Sequence, residues 1–198
     1  MSFRVQDPLT LFSQWLQEAT ATEVNDPNAM ALATVDGDGT LSNRIVLLKG
    51  HDSLGFRFFT NFEGRKGRAL RDNPRAAALF HWKTLDRQVR LEGPVERLGA
   101  EESQAYYDTR ARGSRIGAWA SLQSQPLPDR SVLEGRIEEF EARFEGQDQF
   151  AKPDYWGGFI LRPMAMEFWQ AGEFRLHERV RLTRPNLDLG WTETPLYP

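Results

Sequence analysis

The stretch that most limits what this chain can fold into is Arg44-Ile-Val-Leu-Leu-Lys49, with the segment that answers it, Phe56 to Lys66. The first reads as a buried strand carrying a cation at each end. Strand side chains alternate between faces, so Arg44, Val46 and Leu48 share one face and Ile45, Leu47 and Lys49 the other. An unpartnered buried charge is costly, so cations at both ends of an apolar strand need a reason. Gly50-His-Asp-Ser-Leu-Gly55 has turn composition, and Phe56-Arg-Phe-Phe-Thr60 is a second strand, rich in aromatics. Asn61-Phe-Glu-Gly-Arg-Lys66 then bends into a short helix, which puts Arg65 and Lys66 at its start. Free N–H groups at a helix N-terminus attract anions, and two cations there deepen the attraction. Two readings stay open from this stretch alone: a phosphate site made by a strand end and a helix start, or solvated surface cations.

Composition narrows the partners. The chain has 198 residues, 40% hydrophobic and 27% charged, which suits one globular domain spanning residues 1–198 with a real core. A formal net charge of −3 argues against a nucleic-acid binder driven by phosphate neutralisation, while leaving room for a local basic pocket. With no cysteine, disulfides, zinc–thiolate sites and cysteine nucleophiles are excluded. His51, His81 and His177 show no metal-ligand spacing. No apolar run approaches the ~18 residues of a membrane span. Met-Ser-Phe-Arg-Val-Gln lacks the apolar core of a signal peptide, so a cytoplasmic protein with no membrane partner is expected.

Taken in order, Asp7-Pro8 is a helix start, followed by Leu9, Phe12, Trp15, Leu16 and Ala19 at helical spacing to about Thr22. Ala29 to Val35 and Leu41 to Leu48 form a hairpin across Asp36-Gly-Asp-Gly39. Phe56 to Thr60, Ala76 to Trp82 and Arg87 to Leu98 are further strands. Helices follow over Gly99 to Thr109, Ser114 to Ala120, and after Asp129, where Val132, Leu133, Ile137, Phe140 and Phe144 form a stripe. Strands return over Tyr155 to Leu161, Ala165 to Gln170 and Phe174 to Leu182. The expected fold class is α+β, a mostly antiparallel split β-barrel with surrounding helices.

Basic residues cluster at Arg44–Lys66, Arg110–Arg115 and Arg175–Arg179. In an acidic chain this suggests a ligand with more than one anionic group, since arginine forks and lysine point charges suit phosphate. Tyr106 and Arg110, four apart, share a helix face, with Ser114 soon after; this is a second phosphate site or surface decoration. Arg175-Leu-His-Glu-Arg179, read as a strand, turns Arg175, His177 and Arg179 to one side. Trp169 either stacks on a flat ring or packs in the core. No Ser-His-Asp spacing, P-loop or Gly-x-Gly-x-x-Gly is present.

The chain resembles the pyridoxine/pyridoxamine 5′-phosphate oxidase family. The resemblance rests on Asp7-Pro-Leu, Arg44–Lys49, Phe59-Thr-Asn61, Arg65-Lys66, Arg87-Gln-Val89, Ser114 to Trp119 with Gln123-Ser124, Phe168-Trp-Gln170 and Arg175-Leu-His177, in family order. It implies a split barrel that forms a homodimer and binds FMN at the subunit interface. By resemblance, the FMN positions are Arg44, Ile45, Val46, Leu47, Leu48, Lys49, Phe59, Thr60, Arg65, Lys66, Gln88, Gln123, Ser124, Trp169 and Arg179. Lys49, Tyr106, Arg110 and Ser114 match the set that holds the substrate phosphate. Arg175 and His177 match the catalytic pair over the pyridine ring, and Asp26 another active-site position. The implied reaction is hydride transfer from C4′ of a phosphorylated B6 vitamer to FMN, then electron transfer to O2. Its products are hydrogen peroxide and pyridoxal 5′-phosphate. Glu178 stands where the family usually has Asp, and Pro195 where Arg is common. Two alternatives stay open: a flavin oxidase with another ring substrate, of the phenazine-biosynthesis type, and a non-catalytic binder of FMN or pyridoxal phosphate.

Overall fold

The structure, a computed structural model, describes Val5 and residues 7–198. Helix α1 spans Pro8–Thr22, and the Asp7 carboxylate caps it by accepting from the Leu9 and Thr10 N–H groups. The strands are β1 Ala29–Val35, β2 Leu41–Leu47, β3 Gly50–Asp52, β4 Gly55–Asn61, β5 Arg75–Trp82, β6 Arg87–Arg97, β7 Trp156–Leu161, β8 Ala165–Gln170, β9 Glu178–Thr183 and β10 Thr192–Leu196. The other helices are α2 Arg65–Asp72, α3 Ala100–Asp108, α4 Arg112–Ala120 and α5 Arg130–Arg143. Every pairing between these strands is antiparallel.

The main run of the sheet is β10-β9-β8-β6-β5-β1-β2, with β4 joined through β7 to β6 and β3 on β4. Strand β6 makes the curl. Its first half, Arg87 to Glu92, pairs with β8, and its last three residues, Val95 to Arg97, pair with β7. Gly93 sits where the partner changes, and a Cβ there would meet the Arg162 carbonyl oxygen at 2.2 Å. Only glycine admits that approach. The result is the expected α+β fold, a curled antiparallel half-barrel with helices around it.

Two apolar clusters organise the interior. The concave face of the sheet holds one, with Phe56, Phe58, Phe80, Trp82, Leu91 and Phe168 fully buried. Helix α1 closes it with Phe12, whose ring meets Phe56 edge-on at 4.8 Å and Phe80 at 5.0 Å. The second cluster packs α3, α4 and α5 around Tyr107, Ile116, Phe140, Phe144, Phe150 and Trp156. Strand β7 serves both, because all six of its residues are buried.

Three expectations are corrected. Arg44–Lys49 is not a buried strand: β2 is the sheet's edge, and Leu41 is 76% and Ile45 63% exposed. Phe174 to Leu182 is not continuous strand either. Glu173–Arg175 is a 3-10 turn with Phe174 at φ 55° and Arg175 at φ 65°, and pairing starts only at Glu178. So the strand alternation that put Arg175, His177 and Arg179 on one face does not hold. Gly50–Gly55 is more than a turn, since β3 pairs with β4. Strand β10 was not anticipated; it pairs with β9, Pro195 lying opposite Val180. Among the described residues no helix is long and apolar enough to cross a membrane.

Candidate active site

A cleft of about 500 Å³ opens where the half-barrel meets the helices. Edge strand β2 contributes Ile45, Val46 and Leu47, with Lys49 just beyond; β4 contributes Phe59, Thr60 and Asn61; α2 contributes Lys66. The α3–α4 connection adds Tyr106, Arg110, Ala111 and Ser114, and the following loop adds Gln123. Trp156 closes it from β7.

Part of the cleft suits an anion: Lys66 lines it, and Arg44, outside the lining, is near enough to act on its charge. The Lys66 ammonium donates to Thr60 Oγ1 at 3.0 Å and Gln123 Oε1 at 2.9 Å, both neutral. Burial, and then the Arg44 charge, push its pKa down to about 8. Arg44 is itself lowered by burial and by Arg65, against a smaller opposing pull from Asp36. Arg44 donates to the Leu32 carbonyl at 3.0 Å, to Thr34 Oγ1 at 2.8 Å and to Ser42 Oγ. Among the described residues no carboxylate lies within ion-pair distance of Arg44 or Lys66. Two such cations lack the countercharge that burial demands. Helix α2 starts beside them with Gly64 as an N-cap that has no side-chain cap bond. A Cβ on Gly64 would sit 2.5 Å from Gln123 Oε1, so the bare backbone lets the loop reach Lys66.

Arg110 and Ser114 bring a second cation and a hydroxyl to the same lining. Arg110 lies past the end of α3, its N–H bonded to the Tyr107 carbonyl at 3.1 Å, rather than on the helix face expected. Ser114 is in the first turn of α4, whose N-cap, Ala111, has no side-chain cap bond. The Arg110 guanidinium is lowered by burial, and its Nη1 is buried without a hydrogen-bond partner. Part of the wall is aromatic: Phe59 stacks on Tyr106 with centroids 3.8 Å apart.

The remaining expected site residues lie outside this cleft. Arg65 is held by Asp36, its Nε and Nη2 donating at 3.0 and 2.8 Å. Leu48 turns into the core, and Asn28 takes both its N–H and its carbonyl. Ser124, at φ 69°, lines the adjoining hollow under the loop. Asp26 is an exposed turn residue whose carbonyl accepts from the Ala29 N–H. Gln88, Trp169, His177 and Arg179 form a second group where β6, β8 and β9 lie side by side, and Arg175 is exposed in the 3-10 turn that joins β8 to β9. Trp169 is the register partner of both Gln88 and Arg179, and its ring lies 4.5 Å from His177. His177 Nδ1 accepts from the Gly172 N–H at 3.3 Å, which places the proton of the neutral ring on Nε2. Arg179 is tied to the buried Glu167 carboxylate at 2.7 Å and to the Tyr197 carbonyl at 3.0 Å. The sequence reading missed Asn61, Ala111 and Trp156 as cleft residues.

The residues present fit a flavin mononucleotide on chemical grounds. A desolvated cation pair and an uncapped helix start suit its phosphate, and an aromatic-walled cleft edged by an apolar strand suits its ring.

The family model described as "Pyridoxamine 5'-phosphate oxidase" matches residues 16–144. That for the "Pyridoxine 5'-phosphate oxidase C-terminal dimerisation region" matches residues 156–198. A pyridoxine/pyridoxamine 5′-phosphate oxidase of Rhizobium meliloti is 53% identical over 97% of this chain and 93% of its own. Among solved structures, PhzG from Burkholderia lata, in complex with tetrahydrophenazine-1-carboxylic acid, superposes with a TM-score of 0.89 at 33% identity. That match covers 97% of this chain and 93% of PhzG. A pyridoxamine 5′-phosphate oxidase-related, FMN binding protein from Nostoc punctiforme shares the fold, with a TM-score of 0.77 at 15% identity over the full length of both chains.

Proposed function

The chain belongs to the pyridoxamine 5′-phosphate oxidase family, and from that premise we propose that it oxidises pyridoxamine or pyridoxine 5′-phosphate to pyridoxal 5′-phosphate, using O2 and releasing hydrogen peroxide. The observation that carries the reading is a cleft lined by two desolvated cations, Lys66, whose charge Arg44 acts on from beside the cleft, and Arg110, with Ser114 in the same lining. A flavin phosphate and a substrate phosphate need one cation group each. FMN, when bound, supplies the redox chemistry, accepting a hydride from the substrate and passing electrons to O2.

The protein supplies position and charge. Lys66 and Arg44 would hold the cofactor phosphate, supported by Thr60 and Gln123, and Ile45, Val46 and Leu47 would border its ring. Lys49, Tyr106, Arg110 and Ser114 hold the substrate phosphate, which fixes the reacting carbon in place. Arg175 orients the pyridine ring, and His177, with Nε2 carrying its proton, offers a donor beside it. Trp169, Gln88 and Arg179 complete the flavin surround. The cleft and the C-terminal group come from different copies of the chain in a homodimer. The match of residues 156–198, which contain the second group, to a dimerisation region supports this. So do the exposed Leu41 and Ile45 on the edge strand beside the cleft.

The likeness to PhzG favours one competing substrate class, a phenazine precursor without phosphate. Peroxide release from pyridoxamine 5′-phosphate, pyridoxine 5′-phosphate, pyridoxamine and a dihydrophenazine carboxylate separates the two. Turnover confined to the phosphorylated vitamers is expected. Turnover of the phenazine compound alone would overturn the assignment.

A further inference from the structure

Arg110 is a desolvated guanidinium with no carboxylate partner among the described residues, so something else must hold it. Its Cζ lies 4.8 Å from the ring centroid of Trp156 and 5.9 Å from that of Tyr107. Its Nη1 is buried and unpaired. Trp156 is 5% exposed and is fixed from three sides. It opens β7 opposite Asn61, its backbone N–H donates to the Pro153 carbonyl at 3.0 Å, and Tyr107 meets its ring edge-on at 5.3 Å. Its ring is nearly parallel to Tyr106 (6°, 6.3 Å) and to Phe59 (17°, 5.7 Å). The stack exists because Gly158 has no side chain: a Cβ there would lie 2.7 Å from the Phe59 ring. A cation over an indole face gains about 0.5–2 kcal/mol, most where water is excluded. A carboxylate in that place would gain more and would neutralise the charge that an incoming phosphate needs.

We propose that Trp156 is a positioning residue for substrate-phosphate recognition: its indole face holds the Arg110 guanidinium in the cleft wall in place of an acidic partner, keeping the cation both ordered and unneutralised. The inference rests on Arg110 receiving the substrate phosphate. Trp156 itself touches no reacting atom.

The test uses the flavin-loaded protein and the variants Trp156→Phe, Trp156→Leu, Arg110→Ala and the Leu/Ala double variant. Calorimetric titration with pyridoxal 5′-phosphate reads the site without turnover, and steady-state kinetics with pyridoxamine 5′-phosphate separate KM from kcat. Trp156→Leu is expected to weaken binding and raise KM about tenfold, with kcat and bound flavin nearly unchanged, and Trp156→Phe to recover most of the loss. In the Arg110→Ala background, Trp156→Leu is expected to cost nothing further. An equal cost with and without Arg110, or a fall in kcat and flavin content in place of the KM effect, overturns the proposal. If Arg110→Ala alone binds pyridoxal 5′-phosphate as tightly as the unaltered protein, the phosphate role of Arg110 fails, and the proposal fails with it.

Discussion

Lys66 carries opposite pH consequences before and after ligand binding. Its pKa, lowered to about 8 by burial and then by Arg44, means the ligand-free fold disfavours its charge. That part of stability is present above the ordinary 10.5 and is lost as pH falls through about 8. A bound phosphate needs the ammonium, so FMN affinity should fall as pH rises from about 7 to about 9.5, and Lys66→Arg should flatten the fall. Fluorescence titration with FMN, with riboflavin as a phosphate-free control, measures it; the same slope for riboflavin would refute the role. Lys66→Ala should weaken FMN about ten- to a hundredfold, the scale of a lost charge-assisted bond. His51 behaves more simply. Stacked against Phe56 and bonded to Ser13 Oγ at 2.8 Å, it has its pKa lowered by burial. Its contribution to stability is present above 6.5 and lost as pH falls below it, so His51→Gln should reduce the acid-side decline in melting temperature. Arg44 and Lys66 were legible in the sequence because charges beside apolar strands are conspicuous. Trp156 was not, because a tryptophan at a strand start has the same composition whether it fills a core or backs an arginine.

Elements were legible where local chemistry decides them. Asp7-Pro8 announced α1, and the Asp7 carboxylate does cap it; Asp7→Ala should cost about 1 kcal/mol in chemical denaturation. Asp36 to Gly39 announced the first hairpin, whose register runs from Val35 opposite Leu41 to Ala29 opposite Leu47. The reading failed where tertiary context decides. β3 and β10 are short strands of three and five residues that exist only because longer strands lie beside them. The Phe174–Arg175 turn places two non-glycine residues in the left-handed region, at a cost of order 1 kcal/mol or more each, and no alternation in the sequence reveals it. Helix α2 gives the sharper test. Gly67→Ala would put a Cβ 2.2 Å from the Phe62 carbonyl oxygen, a backbone collision expected to unfold the element. Gly64→Ala meets only the end of the Gln123 side chain. It should therefore lower FMN retention while the melting temperature changes little, measured on the same sample by flavin release and thermal scan.

For the whole molecule, the C-terminal group does not line the cleft, and a homodimer is what joins the two in our reading. The sequence showed the barrel and both basic groups, but no strand pattern reports which copy supplies which wall. Mixing Arg110→Ala with Arg175→Ala subunits should restore activity to about a quarter of the unaltered level, because only mixed dimers hold one intact site. No recovery after subunit exchange would place both groups in one copy. The absorbance of the FMN-loaded protein, recorded anaerobically with pyridoxamine 5′-phosphate and again after air is admitted, decides whether the chain is an oxidase of phosphorylated B6 vitamers. The flavin band should bleach with substrate and return in air with release of peroxide. A flavin that stays oxidised under saturating pyridoxamine and pyridoxine 5′-phosphates would contradict the account.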